Sequence, residues 1–288
     1  MLSVSERLAS LAPSATLAMS QKSNELKAQG IDVINLSVGE PDFNTPDHIK
    51  AAAKKAIDDN FSFYSPVPGY PALRKAICEK LKTENGLDYT PEQIVCSNGA
   101  KQSVCNVILA VIGKGDEVII PAPYWVSYPE MVKIADGTNV IVSAGIEQDF
   151  KITPQQLEEV ITPKTKAIIL CSPSNPTGSV YSKDELKGLA DVLAKYPDII
   201  IISDEIYEHI NYGGAHESIA QFENVRDRVV IVNGVSKGYA MTGWRLGYAC
   251  GPEAVIRQMT KIHQFAIMCA PTTSQYAAIE AIKNGDSD

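Results

Sequence analysis

The chain has 288 residues, of which 45% are hydrophobic and 21% charged, as expected for a soluble globular protein that buries a core. Its 26 Lys and Arg against 34 Asp and Glu give a formal net charge of −8, which argues against a nucleic-acid or anionic-membrane partner. No apolar run reaches the length of a membrane span. The six cysteines form no C-x-x-C pair and the four histidines lack metal-ligand spacing, so we expect free thiols in a reducing cytoplasm and no metal site.

From residue 46 onward, short apolar runs alternate with helical patterns. The predicted strands are Gln93–Cys96, Glu117–Ile120, Asn139–Val142, Ala167–Cys171, Ile199–Ser203, Val229–Val232 and Gly247–Cys250. The predicted helices are Ile49–Ile57, Pro71–Asn85, Lys101–Ile112, Pro129–Ala135, Pro154–Ile161, Lys183–Lys195 and Pro252–Ala270. This alternation predicts an α/β fold with a mostly parallel, seven-stranded sheet sandwiched by helices. Such sheets bind ligands at the carboxyl ends of their strands.

Two of these strand ends are followed by turns of unusual composition. Gly99 lies between a strand and a helix, where free backbone N–H groups favour an anion, although an ordinary strand-to-helix turn fits as well. Ser172–Gly178 contains two prolines, one of them predicted to follow a cis bond, and would hold the Asn175 amide rigidly. A tight surface turn is the alternative for this second segment.

Two further strand ends carry ionisable groups. Asp204 and Tyr207 follow the most apolar strand and can face one ligand together, although an acid there is also typical of a helix N-cap. Lys237 stands among small residues, with Arg245 eight residues later. A buried lysine near a cation has a lowered pKa, which a nucleophilic amine requires.

These blocks, in this order and spacing, resemble the fold-type I, class I pyridoxal-phosphate aminotransferases, and within them the bacterial aspartate aminotransferases. The resemblance rests on the attachment-lysine segment 236–247 together with blocks at 39–43, 64–69, 98–102, 123–125, 175–178 and 204–207. It extends from about Pro13 to the end of the chain. The family resemblance implies these cofactor contacts: Tyr64, Gly99, Ala100, Lys101, Trp125, Asn175, Asp204, Tyr207, Ser236, Lys237 and Arg245.

The implied catalytic residues are Lys237, Asp204 and Tyr207. Lys237 would hold pyridoxal 5′-phosphate as a Schiff base and later move a proton between the substrate and the cofactor. Asp204 would keep the pyridine nitrogen protonated. Tyr207 and Asn175 would bind the ring's 3-oxygen, and Trp125 would stack on the ring.

The resemblance also implies how the phosphate is held. The N–H groups of Gly99 and Ala100 would bind it together with the Ser236 hydroxyl and the Arg245 guanidinium. Tyr64 would reach the phosphate of the other subunit, which implies a homodimer.

Substrate contacts are implied for Gly39, Trp125, Asn175 and Lys101. Lys101 would meet a side-chain carboxylate, or else is a solvated lysine at a helix start. We therefore expect aspartate or glutamate as amino donor and a 2-oxo acid as acceptor. Prephenate as a substrate, other pyridoxal-phosphate chemistry and a non-catalytic cofactor-binding fragment remain as alternatives. A nicotinamide dehydrogenase is disfavoured, because no G-x-G-x-x-G follows the first strand.

One departure from the family is expected at the C-terminal end. Residues 1–45 would form an N-terminal arm and part of a small domain, and residues 46–288 the pyridoxal-phosphate-binding large domain. The rest of the small domain, with the arginine that clamps the α-carboxylate, has no counterpart in this sequence. We therefore expect impaired transamination, and uncovered apolar surface on the arm.

Overall fold

The computed structural model describes residues 5–285 and contains a single seven-stranded sheet within that range. The strands are β1 (Ile94–Ser97), β2 (Glu117–Ala122), β3 (Thr138–Ser143), β4 (Thr165–Cys171), β5 (Ile200–Asp204), β6 (Val229–Gly234) and β7 (Gly247–Cys250). The helices are α1 (Glu6–Ala9), α2 (Ala15–Ala28), α3 (Asp47–Asp58), α4 (Pro71–Asn85), α5 (Ala100–Val111), α6 (Ser127–Ile134), α7 (Pro154–Val160), α8 (Lys183–Leu193), α9 (Glu223–Arg226), α10 (Glu253–Ala266) and α11 (Thr272–Asn284).

The strand order in the sheet is β1-β7-β6-β5-β4-β2-β3. Only β7 runs against its neighbours, β1 and β6, while β6, β5, β4, β2 and β3 pair in parallel. The predicted α/β class and the mostly parallel seven-stranded sheet are confirmed. Because β1 is antiparallel to β7, it points the same way as the parallel strands, so the ends of β1, β2, β4, β5 and β6 lie along one edge of the sheet.

Alternate residues of the central strands feed two hydrophobic cores, one on each face of the sheet. Ile201 belongs to the core beneath α3, α4, α8 and α11, and Ile202 belongs to the core beneath α5, α6 and α10. A strand that buries both faces needs an apolar residue at every position, which explains the run of isoleucines in β5. The polar residues at the carboxyl ends of these strands therefore lie at the edge of the sheet, outside the two cores.

The helix pattern after β7 differs from the prediction. The single helix predicted over Pro252–Ala270 ends at Ala266, and Met268 adopts a left-handed backbone with φ of 82°. Pro271 then caps α11, which packs against α3 and α4. The prediction was wrong here because apolar periodicity runs through the break, and Pro271, which begins a new helix, lies outside the predicted span.

The segment before α3 docks on the loop that follows β6. The Thr45 hydroxyl donates to the Ala240 carbonyl (2.6 Å) and accepts from the Trp244 indole (3.1 Å). Further toward the N-terminus, Leu36 is 90% exposed and Phe43 is 78% exposed, as expected for apolar surface on the arm. None of the helices described between residues 5 and 285 is long and apolar enough to cross a membrane.

Candidate active site

The turns that the sequence singled out lie side by side at the carboxyl edge of the sheet. In the register of neighbouring strands, Cys171 at the end of β4 pairs with Asp204 at the end of β5, and Asp204 pairs with Val232 of β6. The chain continues from these ends into the turns that carry Asn175, Tyr207 and Lys237. The sheet topology therefore places Asn175 and Lys237, which are 62 positions apart in the sequence, at the same edge.

Lys237 lies half-buried in the loop after β6. Its ammonium donates to the Gly39 carbonyl (2.5 Å) and lies 5.5 Å from the ring centroid of Tyr207. Burial lowers the pKa of the Lys237 amine, the Glu40 carboxylate opposes that shift, and the Arg245 guanidinium adds to it. A lysine of this kind loses its proton more readily than a solvated one. The resulting neutral amine is the form that acts as a nucleophile or base.

Asp204 is a buried carboxyl at the last position of β5. Burial raises its pKa to about 6, although hydrogen bonds from the Tyr128 hydroxyl (2.6 Å) and the Ile206 amide (3.3 Å) favour the ionised form. Tyr128 was not predicted from the sequence as a site residue. The signal that could have indicated it is its position three residues after Trp125, a spacing that places two side chains on the same face of a helical turn.

Tyr207 and Asn175 form a polar pair beside the lysine. The Asn175 side-chain amide donates to the Tyr207 hydroxyl (3.2 Å), and burial raises the pKa of that phenol to about 12. The peptide bonds before Pro173 and Pro176 are both cis, where the sequence predicted one. The predicted proximity of an amide and a phenol is therefore present.

The first turn of α5 and Arg245 form the cationic side of the site. Gly99 precedes the helix with φ of +83°, and a Cβ built there would lie 2.3 Å from Nη2 of Arg245. The guanidinium donates to the carbonyls of Thr242 (2.7 Å) and Asn98 (3.2 Å). The Gly99 amide donates to the Ser97 carbonyl (2.8 Å), and its role in holding a phosphate stays a prediction.

Lys101 and Trp125 complete this side. The Lys101 ammonium lies 4.8 Å from the centroid of the Trp125 ring, whose edge meets Tyr128 at a centroid distance of 5.3 Å. Burial lowers the pKa of the Lys101 amine, and Arg245 lowers it further. The Arg245 guanidinium lowers the pKa of both Lys101 and Lys237, so positive charge is concentrated on this side of the site, where an anion would be stabilised.

Three further predicted site residues, Tyr64, Ser236 and Gly39, differ in how the structure places them. Tyr64 is 82% exposed and, within residues 5–285, donates no hydrogen bond to the cluster. Ser236 is buried beside Lys237. Gly39 contacts Lys237 through its carbonyl, and the substrate contact that the resemblance implies for it stays a prediction.

A family model for aminotransferase class I and II matches residues 31–288, which contain the whole of this site. The chain belongs to this family. It is therefore an aminotransferase, and the resemblance inferred from its motifs is confirmed.

Individual relatives agree with this assignment. The chain is 52% identical over 281 residues to a probable aspartate/prephenate aminotransferase of Rickettsia bellii and 50% identical over 283 residues to the aspartate aminotransferase of Geobacillus stearothermophilus. These matches cover 97% of this chain, and 70% and 72% of the relatives. The aspartate aminotransferase of Thermus thermophilus, solved with maleate, matches with a TM-score of 0.96 and 44% identity over 99% of this chain and 74% of that one.

Proposed function

We propose that this aminotransferase moves the amino group of aspartate or glutamate to a 2-oxo acid, using pyridoxal 5′-phosphate bound to Lys237. The observation that carries the proposal is the arrangement at the sheet edge. A half-buried amine with a lowered pKa stands beside a phenol, near a buried carboxyl and the cationic start of a helix. The names of the relatives at 50–52% identity support aspartate as the donor.

The residues present fit the cofactor. A phosphate needs hydrogen-bond donors and positive charge, and Arg245, Ser236 and the first-turn amide of Ala100 supply both. A Cβ at position 99 would lie 2.3 Å from Nη2 of Arg245, so a side chain there would force this guanidinium to move. Asp204 would face the ring nitrogen, Tyr207 and Asn175 the 3-oxygen, and Trp125 the ring face, while Tyr64 would reach the site of a partner subunit.

When bound, the cofactor supplies an aldehyde that condenses with amines and a protonated ring that withdraws electrons from the substrate's α-carbon. Lys237 would hold the cofactor through Nζ and, after release by the incoming amino acid, would accept and return a proton at that same atom. Its lowered pKa favours the neutral amine that both tasks require.

Asp204 would hold the proton of the ring nitrogen by an ion pair within the core. The Tyr128 hydroxyl donates to this carboxyl and so favours its charged form. In a buried site the pair is poorly screened, which makes it stronger than the same pair in water. Glu40, which accepts from the Thr242 hydroxyl (2.9 Å), fixes the segment whose Gly39 carbonyl receives the lysine.

Substrate selection would fall to cations at the rim. Lys101 lies over the Trp125 ring and would bind the side-chain carboxylate of a dicarboxylic substrate. Gly39, Asn175 and Trp125 would contact the remainder of the substrate. Prephenate is the second candidate, because several relatives carry aspartate/prephenate in their names and prephenate also presents two carboxylates.

The proposal includes a cytoplasmic homodimer. The six cysteines are free in the structure, which suits a reducing compartment. Tyr64 is exposed rather than turned into the site of its own chain, which suits a contact across two subunits.

The test supplies the protein and pyridoxal phosphate with aspartate and 2-oxoglutarate, and measures oxaloacetate. We expect oxaloacetate from aspartate and, with oxaloacetate as the acceptor, 2-oxoglutarate from glutamate, both above the level of Lys237→Ala. Lys195→Ala is the matched control, since Lys195 pairs with Glu158 on the surface. Transfer from glutamate to prephenate without transfer from aspartate to 2-oxoglutarate would replace the first substrate pair by the second, and turnover by Lys237→Ala would overturn the site.

A further inference from the structure

The segment that carries Asp204 and Tyr207 is also held from the opposite side. Glu205 turns away from the site and accepts from the hydroxyls of Ser203 and Ser218 (both 2.7 Å), while its other oxygen lies 2.9 Å from Nε2 of His216. Glu205 is 2% exposed. Acids therefore alternate with site residues along this turn, and each acid is buried with polar partners.

Glu208 is the centre of this second set of contacts. Its carboxylate forms a buried ion pair with Lys80 of α4 and accepts from the side-chain amides of Asn85 (3.1 Å) and Asn233 (2.8 Å). The side chains of Lys80 and Glu208 are 3% and 5% exposed. Burial alone would raise the pKa of Glu208, but Lys80 and His209 reverse that shift and hold the pKa below its usual value.

The same group reaches the loop of the catalytic lysine. Asn233 belongs to β6, four residues before Lys237, and its side-chain oxygen Oδ1 accepts from the Gly234 amide (2.7 Å). The His209 ring packs edge-on against Tyr239, with a centroid distance of 5.7 Å. A Cβ on Gly238 would come within 2.6 Å of Nδ1 of His209, so the lysine loop lies directly against this histidine.

We propose that Glu208 is a positioning residue that fixes the Asp204–Tyr207 turn relative to the Lys237 loop. It touches neither the cofactor nor the substrate. It acts through Asn233 and His209 on one side and through its own turn on the other, with Lys80 as its counter-charge. Glu208 also groups with Glu205 and His216 as potential metal ligands, but the Lys80 ammonium already neutralises it.

The consequence concerns geometry at the site. Asp204 and Lys237 lie on different strands, and one cofactor must meet both. If Glu208 loses its charge, the buried Lys80 keeps the more exposed Glu84 of α4 (3.4 Å) as a counter-charge, but the two segments lose their common anchor. This inference rests on the proposed function for its effect on cofactor binding, but the anchoring itself exists without the cofactor.

The test uses Glu208→Gln, which keeps the shape and removes the charge. In the cofactor-free protein, we expect faster hydrogen exchange of amides at 205–209 and 234–240. In the loaded protein, we expect a shifted pH midpoint of the visible cofactor band and cofactor affinity weakened about ten-fold, the lower end of what loss of a supporting group costs a metal site.

Two further variants separate positioning from stability. Arg228→Met is the matched control, because this buried cation binds the carbonyls of Leu193, Tyr196 and Ile199 at the far end of the sheet. It should lower the melting temperature without changing the cofactor band. The double variant Lys80→Met/Glu208→Leu should recover the melting temperature but not the affinity.

The outcomes are distinct. If Glu208→Gln and Arg228→Met both lower the melting temperature while affinity, band and local exchange stay as in the wild type, the positioning role is overturned. If the wild type shows no cofactor band, the proposed function fails, and the exchange pattern of the cofactor-free protein still decides whether Glu208 anchors both segments.

Discussion

At the scale of single residues, the site contains two ionisable groups whose charged forms are destabilised by burial. Asp204 is a buried carboxyl whose pKa is raised to about 6. Lys237 is an amine whose pKa is lowered by burial. Desolvation is the largest cause of both pKa shifts. A ligand of opposite charge would therefore stabilise the ionised form of each group.

Asp204→Asn should therefore stabilise the cofactor-free protein at neutral pH. The folded carboxyl has a pKa of about 6 against an ordinary value of 3.8, so its ionisation weakens the fold as the pH rises through 6. The full effect is about 3 kcal/mol, at 1.36 kcal/mol per pKa unit. Denaturant unfolding at pH 4 and pH 7.5 measures it. The variant should gain stability only at the higher pH, and an equal difference at both pH values would contradict the stated cause.

Tyr128→Phe should raise the pKa of Asp204 further. The lost hydroxyl donates to the carboxylate at 2.6 Å, and a hydrogen bond to a charged group is worth roughly 1.5 kcal/mol, or about one pKa unit. Carbon-13 NMR of labelled aspartates in the cofactor-free protein follows this titration. An unchanged midpoint would remove Tyr128 from the site.

At the scale of elements, the strands were predictable from the sequence, whereas helix α11 and two side-chain contacts were not. Parallel strands that are buried on both faces consist of continuous apolar residues, so β4, β5 and β6 could be located from the sequence. Helix α11 was missed because apolar periodicity continues through residues 267–271, where Met268 adopts a left-handed backbone and Pro271 begins the new helix. Tyr128 and Glu208 were missed because their partners, Asp204 and Lys80, lie 76 and 128 residues away.

The start of α5 allows a prediction about glycine. Gly99→Ala should weaken cofactor binding, because a Cβ would displace the Arg245 guanidinium and the residue has φ of +83°. Gly86→Ala is the control, since Gly86 has φ of +66° with open space around it. Both should cost about 1 kcal/mol of folding stability from the backbone alone. Only Gly99→Ala should lower cofactor affinity in a fluorescence titration, and equal affinities would contradict the role of Arg245.

At the scale of the whole molecule, the chain matches 70–74% of the length of relatives such as those of Rickettsia bellii and Thermus thermophilus. The region it covers contains the sheet edge, the lysine loop and the cationic helix start. The division at residue 45, the arginine clamp and the level of activity stay predictions. Gly39 and Thr45 both contact the lysine loop, so residues 39–45 pack against the candidate site.

The proposed homodimer predicts complementation between two inactive variants. Tyr64→Ala lacks the residue that reaches the partner, and Lys237→Ala lacks the attachment residue. Mixed dimers contain one intact site of two, so random reassociation of equal amounts should restore about a quarter of wild-type turnover. No recovery after mixing, with dimers present by sedimentation, would place Tyr64 outside the partner's site.

Attachment of the cofactor to Lys237 is the central claim, and chemical trapping tests it most directly. The protein is loaded with pyridoxal phosphate, reduced with borohydride and digested, and the modified lysine is located by mass spectrometry. We expect the label on Lys237 alone, and no label at that site after Lys237→Ala. Labelling spread over surface lysines, or concentrated on Lys101, would contradict the site described here.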